Sequence, residues 1–358
     1  MNPVLSADRL RSFVAEIFSA AGCEQTEAER IGRYLLSANL AGHDSHGVIR
    51  VPRYLRLLQD GQVRAGQELT IVRETATHAL VDGNMGFGQT VAPLAVDLGI
   101  AKCRAAGIAV IALRNTGHVG RVGDWGERAA EAGLVSLHFV NVAGSVLVAP
   151  FGGSERRFST NPVCIAVPTE DGPPLLLDFA TSMVAEGKVL VASNGGKALP
   201  HGALIGPDGQ LSADPVMLYG PLGNSPVRDA TKGQGALRTF GEHKGSGLAF
   251  MCEMLGGCLT AGGTAGPAKR NGIANGMLSI YLDPAGFAGE AFLPAVRDYV
   301  AWMKAARPAE PGGEVLVPGE PETRTREARL RDGIPLQAET WGNLVAVAQD
   351  LGVAAPPL

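Results

Sequence analysis

The stretch at residues 42–54 reads GHDSHGVIRVPRY and places Ser45 and His46 shortly before Arg50. Histidine exchanges a proton near neutral pH with little loss of driving force, and a guanidinium presents a planar fork that fits a carboxylate. Where such a segment is helical, residues four apart share a face. The spacing therefore predicts an acid/base group beside a clamp for a small carboxylate, with Ser45 orienting the substrate or the imidazole.

The same segment is also compatible with an ordinary surface turn. Gly42 and Gly47 interrupt it, and Pro52 limits how far a helix extends. Arg53 and Arg56 fit solvent-exposed positions. Spacing alone leaves both interpretations open.

Six further blocks follow along the chain. They are NTGHVG at 115–120, PFGG at 150–153, TNP at 160–162, LDFATS at 177–182, HKGSG at 243–247 and VPGE at 317–320. Together with GHDSHG, Arg50 and Tyr54, these blocks resemble the type 2 malate/L-lactate dehydrogenase family over nearly the whole chain. Within that family the hydroxycarboxylate dehydrogenase B branch is the most similar, through HVGR at 118–121 and EHKG at 242–245.

This resemblance implies an α/β fold that binds a dinucleotide in a non-Rossmann manner, with a central mixed sheet and helical N- and C-terminal domains. It divides the chain into a helical, substrate-contacting part at 1–114, a cofactor-binding α/β domain at 115–285, and C-terminal helices at 286–358 that return to the N-terminal part. It also implies a homodimer. The implied activity is NAD(P)-dependent interconversion of a 2-oxo acid and a 2-hydroxy acid by hydride transfer.

The cofactor is implied by the resemblance alone. A Rossmann fingerprint needs G-x-G-x-x-G between a strand and a helix, whereas Gly86-Phe-Gly88 lacks the third glycine and the glycines from Gly117 onward are wrongly spaced. The family binds NAD or NADP, with NAD favoured here, and no metal is expected. The cofactor-contact positions carried over from the family are His46, Gly120, Arg121, Val122, Thr160, Asn161, Leu176, Leu177, Asp178, Phe179, Ala180, Thr181, Ser182, His243, Lys244, Asn275, Gly319, Glu320, Pro321 and Glu322.

Local sequence is compatible with several of these positions. Residues 120–122 lie where a strand leads into a helix, and a free helix N-terminus beside Arg121 suits a pyrophosphate; an ordinary N-terminal loop is the alternative. Asp178 is predicted to bind a ribose, to orient a histidine, or merely to cap a helix. Lys244 at a helix start opposes the helix dipole, which favours a bound anion over a solvated helix start.

Two histidines compete for the acid/base role. The resemblance points to either His46 or His118, and we assign the role to His46 because it shares a segment with Arg50. His118 adjoins the proposed cofactor loop and is expected to assist binding more than turnover.

Two other functions remain open at this point. His43, Asp44 and His46 have the spacing and chemistry of metal ligands, which suggests a metal-dependent hydrolase as an alternative. The lack of a distal histidine-carboxylate cluster counts against it. The other alternative is a small-acid binding protein without turnover.

Charge and composition narrow the class of protein. The net charge of −4 argues against a broad basic nucleic-acid footprint. The five cysteines are scattered without a C-x-x-C pair, which favours a reducing compartment over a disulfide framework or thiolate zinc site. Charged residues interrupt the N-terminal segment, and no apolar run is long enough for a membrane span. We therefore expect a cytoplasmic protein whose partner is a small 2-oxo or 2-hydroxy carboxylate.

Hydrophobic periodicity predicts alternating helices and strands. The first two helices are expected after Ser6 and after a capping box formed by Thr26 and Glu29. Between 195 and 234 no element is predicted, and Gly319–Glu322 fits a loop. Strands are expected at 69–72, 78–81, 108–113, 135–140, 164–167, 175–178 and 277–282, and further helices at 91–106, 122–132, 245–259, 292–303 and 341–348.

Overall fold

The protein is described by a computed structural model that covers residues 2–193, 197–221, 229–230, 232–266 and 272–358. The helices are α1 (Ala7–Ala20), α2 (Gln25–Leu40), α3 (Val51–Gln59), α4 (Gly88–Ala106), α5 (Gly123–Glu131), α6 (Glu186–Ser193), α7 (Val216–Tyr219), α8 (His243–Cys252), α9 (Phe292–Lys304), α10 (Glu320–Asp332) and α11 (Ala338–Asp350). The strands are β1 (Val4–Leu5), β2 (Thr70–Glu74), β3 (His78–Asp82), β4 (Ile108–Thr116), β5 (Val135–Ala143), β6 (Val163–Val167), β7 (Leu175–Phe179), β8 (Leu204–Ile205), β9 (Leu211–Ser212), β10 (Ala236–Leu237), β11 (Ala274–Leu282) and β12 (Ile334–Pro335). Short 3-10 turns occur at Asp44–His46, Val48–Arg50, Pro284–Gly286 and Gly289–Ala291, and α8 continues into a π-helix at Glu253–Cys258.

A seven-stranded mixed sheet forms the centre, with strand order β2-β3-β4-β11-β5-β6-β7. Strands β3 and β4 are parallel, and the other neighbouring pairs are antiparallel. Parallel neighbours need a crossover connection, and α4 supplies it. The expected α/β fold with a central mixed sheet is confirmed.

Two large apolar clusters pack against the central sheet and between the two ends of the chain. One cluster combines the N-terminal helices with α11, where the Phe13 and Trp341 rings lie 5.7 Å apart, and β1 pairs with β12 beside it. Another cluster lies against the sheet and contains the fully buried Trp125 and Tyr281. The domain boundaries at residues 114 and 285 stay a prediction, and the central sheet takes strands from both sides of residue 114.

The predicted start of the second helix is wrong. Helix α2 begins at Gln25 with Glu24 as its N-cap, and no side chain caps it. Thr26 therefore lies inside the first turn, and Thr26 with Glu29 forms no capping box. Glu29 instead accepts a hydrogen bond of 2.7 Å from the Gln25 amide.

Two other helix boundaries also differ from the sequence pattern. Helix α4 begins at Gly88 rather than at Val91. The Gly319–Glu322 stretch, expected to be a loop, is the start of α10, and no residue of that helix is buried. A helix that is polar on all sides has no apolar periodicity to detect.

The stretch at 195–234, for which no element is predicted, contains β8, β9 and α7 among its described residues. Residues 195–196, 222–228 and 231 of that stretch lie outside the described residues. In the part of the chain that the structure describes, no helix is long and apolar enough to span a membrane.

His138 of β5 is fully buried in the central sheet. Its Nδ1 lies 2.8 Å from Ser279 Oγ and its Nε2 lies 3.0 Å from Ser136 Oγ. Burial lowers the pKa of His138 from 6.5 to about 3. The ring is therefore neutral at pH 7 and belongs to the sheet rather than to a site.

We expect the free energy of unfolding to fall as the pH is lowered from 6.5 to about 3, because only the unfolded chain protonates His138 in that window. One such histidine contributes a slope of about 1.4 kcal/mol per pH unit. Urea unfolding of His138→Asn should show a flatter pH dependence, whereas the exposed His201→Asn should match the unmodified protein. An unchanged slope in His138→Asn contradicts this assignment.

Candidate active site

A cavity of about 580 Å³ opens beside the start of α3. Its volume is in the range of small-molecule sites. All four proposed catalytic side chains border it, namely Ser45, His46, Arg50 and His118. Of the proposed cofactor positions, those that also border it are Gly120, Arg121, Val122, Thr160, Asp178, Phe179, Ala180, Ser182, Asn275 and Glu322.

The remaining cofactor positions lie away from this cavity. Leu176 belongs to the apolar core, and the fully buried Asn161 donates to the Glu253 carboxylate at 2.8 Å. His243 and Lys244 are exposed at the start of α8. The positions that do not border the cavity are Asn161, Leu176, Leu177, Thr181, His243, Lys244, Gly319, Glu320 and Pro321.

The segment at 44–50 is not one continuous helix. Asp44–His46 and Val48–Arg50 form separate 3-10 turns, and Gly47 between them is extended, with φ −86° and ψ −151°. The expectation that His46 and Arg50 share a helical face is therefore wrong. Arg50 instead folds back, so that its Nε donates to the Ser45 carbonyl at 2.5 Å.

Asn39 in the last turn of α2 anchors this segment. Its Oδ1 accepts the Val48 amide at 2.8 Å, and its Nδ2 donates to Asp44 Oδ1 at 2.6 Å. Arg329 of α10 donates to Asp44 Oδ2 at 3.0 Å and also to the Asn39 carbonyl. A Cβ at Gly47 would lie 2.2 Å from Asn39 Oδ1, so glycine is required there. Nothing in the sequence marks Asn39 or Arg329, because each is a single polar residue within a helix.

His46 and His118 stack at the cavity wall, with ring centroids 5.5 Å apart and planes inclined by 14°. Ser45 Oγ lies 3.1 Å from His46 Nδ1. Burial, followed by the charge of Arg50, lowers the pKa of His46 from 6.5 to about 3. The same two causes hold the pKa of His118 well below 6.5. Both imidazoles are therefore neutral at pH 7.

Tyr54 sets the position of the proton on His118. The Tyr54 hydroxyl lies 2.6 Å from His118 Nδ1. Gln89 Nε2 donates to the Tyr54 oxygen at 3.1 Å and to the His118 carbonyl at 3.3 Å, which determines the orientation of its amide. The Tyr54 proton is thus donated to Nδ1, and the ring proton of His118 is on Nε2. The sequence patterns do not identify Gln89, which is buried, as a residue of the site.

Helix α6 brings a carboxylate to Arg50. Glu186 Oε2 lies 3.6 Å from Arg50 Nη1, and Glu186 Oε1 accepts the Tyr219 hydroxyl at 2.7 Å. The helix approaches this closely because Gly187 has no side chain, and a Cβ there would lie 2.3 Å from Ser45 Cβ. The sequence patterns give no sign of Glu186, which follows one of the resembling blocks by only a few residues.

The start of α5 is already occupied by protein groups. The Gly123 amide donates to Asp178 Oδ2 at 2.8 Å. The Arg121 side chain is fully buried and pairs with Asp124 at 3.0 Å and Glu127 at 2.9 Å. The expectation of an available guanidinium at this helix start is therefore wrong, whereas cofactor contacts of residues 120–122 stay a prediction. Asp178 thus contacts a helix distant in sequence rather than capping one that begins in its own segment, and its roles toward a ribose or a histidine stay predictions.

The beginning of α10 also reaches the cavity. The Leu176 amide donates to the Pro318 carbonyl at 3.1 Å, and this contact brings a distant part of the chain back onto β7. Glu322 Oε1 lies 3.3 Å from His43 Nε2, and this hydrogen bond lowers the pKa of Glu322. A carboxylate from the C-terminal part of the chain thus becomes part of the cavity wall.

The candidate metal ligands have other partners. His43 faces Glu322 at 3.3 Å, and Asp44 pairs with Arg329 at 2.6 Å. Among the described residues, no group of three or more histidine, cysteine, aspartate or glutamate side chains is placed to hold a metal ion. The geometry gives the hydrolase alternative no support.

Known proteins of one family resemble the chain along almost its whole length. A family model described as malate/L-lactate dehydrogenase matches residues 5–345. Hydroxycarboxylate dehydrogenase B of Escherichia coli (strain K12) is 40% identical over 352 residues, which cover 97% of this chain and 94% of that protein. L-lactate dehydrogenase of Cupriavidus necator is 34% identical over 98% of this chain and 99% of its own length. The structure of malate dehydrogenase from Pyrococcus horikoshii OT3 matches with a TM-score of 0.87 at 29% identity, over 99% of this chain and 97% of that one.

We expect Gly187→Ala to displace Ser45, because the new Cβ would lie 2.3 Å from Ser45 Cβ. The 3.1 Å contact between Ser45 Oγ and His46 Nδ1 should then break in a crystal structure of the variant. Gly342→Ala in α11 is the matched control, because nothing lies within 4 Å of its Cβ and alanine stabilises a helix interior by about 0.5–1 kcal/mol relative to glycine. Unaltered Ser45–His46 geometry in Gly187→Ala would show that α6 does not hold this serine.

Proposed function

We propose a residue-level mechanism for this chain, which belongs to the malate/L-lactate dehydrogenase family. The chain is a nicotinamide-dependent oxidoreductase that acts on the CH–OH group and interconverts a 2-oxo acid and a 2-hydroxy acid. We assign these residues their roles because His46, His118 and Arg50 all border one cavity. Imidazoles beside a guanidinium suit proton exchange at a hydroxyl next to a carboxylate.

Arg50 binds the substrate carboxylate. Its Nε is used by the Ser45 carbonyl at 2.5 Å, whereas the separation of 3.6 Å between Nη1 and Glu186 is longer than a hydrogen bond. The Nη groups are therefore available for a contact with a carboxylate through two parallel hydrogen bonds.

His46 exchanges the hydroxyl proton. After burial, the charge of Arg50 is the largest cause that lowers the pKa of His46 to about 3. A carboxylate bound to Arg50 compensates that charge, so substrate binding raises the pKa of His46 toward the range where imidazole is an effective acid/base catalyst. Ser45 holds Nδ1 at 3.1 Å, which leaves Nε2 for the proton exchange.

His118 acts as a hydrogen-bond donor to the oxygen on C2. Its Nδ1 accepts from Tyr54 at 2.6 Å, so its Nε2–H is the group left for the cavity. A neutral imidazole held in one tautomer orients the bound acid through this hydrogen bond without giving up its proton. The sequence left the acid/base role open between the two histidines, and we assign proton exchange to His46 and the hydrogen bond to His118.

The residues present fit a nicotinamide nucleotide. The cavity of about 580 Å³ is wide enough to admit a nicotinamide ring beside a small acid, and Gly120, Thr160 and Asn275 border it. When bound, the cofactor supplies the hydride acceptor or donor. We favour NAD over NADP because the carboxylates of Glu322 and Asp178 border the cavity, and carboxylates accept ribose hydroxyls but repel a 2′-phosphate.

The other proposals concern the protein as a whole. A homodimer is supported by α9, in which no residue is buried and where Tyr299 and Trp302 are 63% and 67% exposed. A cytoplasmic location is supported by the cysteines, all of which are free. We propose neither nucleic acid nor membrane as a partner, in line with the net charge of −4. A binding protein without turnover is the remaining alternative, and an activity assay separates it from the enzyme.

We expect the protein to bind NADH in the presence of a metal chelator, and to bind it more tightly than NADPH. Tryptophan fluorescence titration measures both affinities. Glu322→Gln should reduce the difference in affinity between NADH and NADPH, because it removes the charge that repels a 2′-phosphate. Glu327→Gln changes an exposed residue of the same helix and should leave that difference unchanged. Without saturable binding of either nucleotide the mechanism above does not hold.

We expect His46→Asn to lower kcat by roughly 100- to 10,000-fold, the usual contribution of a general acid/base, while NADH binding is retained. His118→Asn should weaken binding of the cofactor or the 2-oxo acid more than it lowers kcat. Steady-state kinetics across pH, together with NADH titration, measure both effects. If the acid/base limb of the pH profile of kcat is lost in His118→Asn but kept in His46→Asn, the two histidines have the opposite roles.

A further inference from the structure

The cavity-facing side of α3 carries a second arginine. Arg50, Arg53, Tyr54 and Leu57 all border the cavity, and their spacing is that of one helical face. Residues three apart on a helix have Cβ atoms about 5–6 Å apart. Arg50 and Arg53 therefore present two cations side by side, at a separation that a short acid with two carboxylates can bridge.

Among the described residues, Arg53 differs from its neighbours in having no anionic partner. Glu186 lies 3.6 Å from Arg50, and Asp60 lies 3.7 Å from Arg56, which does not border the cavity. No carboxylate oxygen of the described chain comes within 4.0 Å of the Arg53 guanidinium. The charge of Arg53 is thus available to a ligand.

The electrostatic surroundings of Arg53 favour an added anion. Arg53 is exposed to solvent, and the charge of the neighbouring Arg50 acts with desolvation to lower its pKa. An anion bound between the two guanidinium groups relieves their mutual repulsion.

A dicarboxylate matches the two arginines better than a monocarboxylate does. Arg50 has Glu186 beside it, and the neighbouring His46 and His118 are neutral at pH 7 because their pKa values are lowered. A monocarboxylate bound to Arg50 leaves the charge of Arg53 without an anion, whereas a dicarboxylate neutralises it.

We propose that Arg53 binds a second carboxylate on the substrate, so that the enzyme prefers 2-oxo and 2-hydroxy dicarboxylic acids to monocarboxylic ones. This proposal rests on the function proposed above. Arg50 holds the carboxylate next to C2, and Arg53 holds the distal one. Arg53 is then the residue that determines substrate class.

The test compares oxaloacetate with pyruvate and with 2-oxosuccinamate, in which an uncharged amide replaces the distal carboxylate. Unmodified enzyme should reduce oxaloacetate with a kcat/KM roughly 10- to 100-fold above the other two, the usual effect of a charged hydrogen bond. Arg53→Gln should remove most of that advantage while changing kcat/KM for pyruvate by less than about threefold, and Arg53→Lys should restore part of it. Arg56→Gln, one turn further on and outside the cavity, is the control and should behave as the unmodified enzyme.

Calorimetric binding of L-malate and L-lactate separates failure of this proposal from failure of the proposed function. Loss of L-malate binding in Arg53→Gln, with NADH titration and thermal stability unchanged, supports the second carboxylate site even if turnover is absent. Equal or better use of pyruvate by the unmodified enzyme overturns the proposal. An equal loss for all three 2-oxo acids in Arg53→Gln also overturns it, while leaving the dehydrogenase mechanism intact.

Discussion

The hydrogen bonds of the Asn39 amide are the constraint on which the site depends. They join the end of α2 to both 3-10 turns, through the Val48 amide and the Asp44 carboxylate. Arg329 of α10 secures Asp44 from the other end of the chain. The position of the segment at 44–50 is therefore set by tertiary contacts with terminal helices and not by local helix formation. The apolar cluster shared by the two chain ends includes Leu40 and Val48, which adjoin this anchor.

Two groups of charged side chains border the cavity. Arg50 and Arg53 are close to Glu186, whereas Asp178 and Glu322 are close to His43. In the proposed mechanism the first group attracts an acid substrate, and the carboxylates of the second group accept ribose hydroxyls. The histidines stay neutral because they are buried beside cations, and in this mechanism His46 takes up a proton when a bound carboxylate compensates the charge of Arg50.

Much of the fold was accessible from the sequence, because β4 contains a continuous apolar run, β5 and β11 are rich in apolar residues, and α1 has a clear apolar face. The ordered blocks indicated the family and about half of the residues at the cavity. Sequence patterns do not predict which residue a polar side chain contacts in the folded protein. Gln89 and Glu186 each have a defined contact at the site, yet each is an isolated polar residue whose meaning depends on a neighbour distant in sequence. Helix α10 was missed for a related reason, since a helix with no buried face leaves no periodic signal.

The arginines show most directly what sequence alone leaves undetermined at a site. The sequence predicts a free cation for Arg121 at a helix start, and it predicts solvent exposure for Arg53, which the structure confirms. In the structure Arg121 is enclosed by Asp124 and Glu127, whereas Arg53 borders the cavity without a carboxylate partner among the described residues. Identical side chains thus differ in the charge they offer to a ligand, because distant segments decide which of them is neutralised. In the proposed mechanism the groups that bind an anion in this cavity are therefore Arg50 and Arg53 at the beginning of α3, because the guanidinium at the start of α5 is already paired with carboxylates.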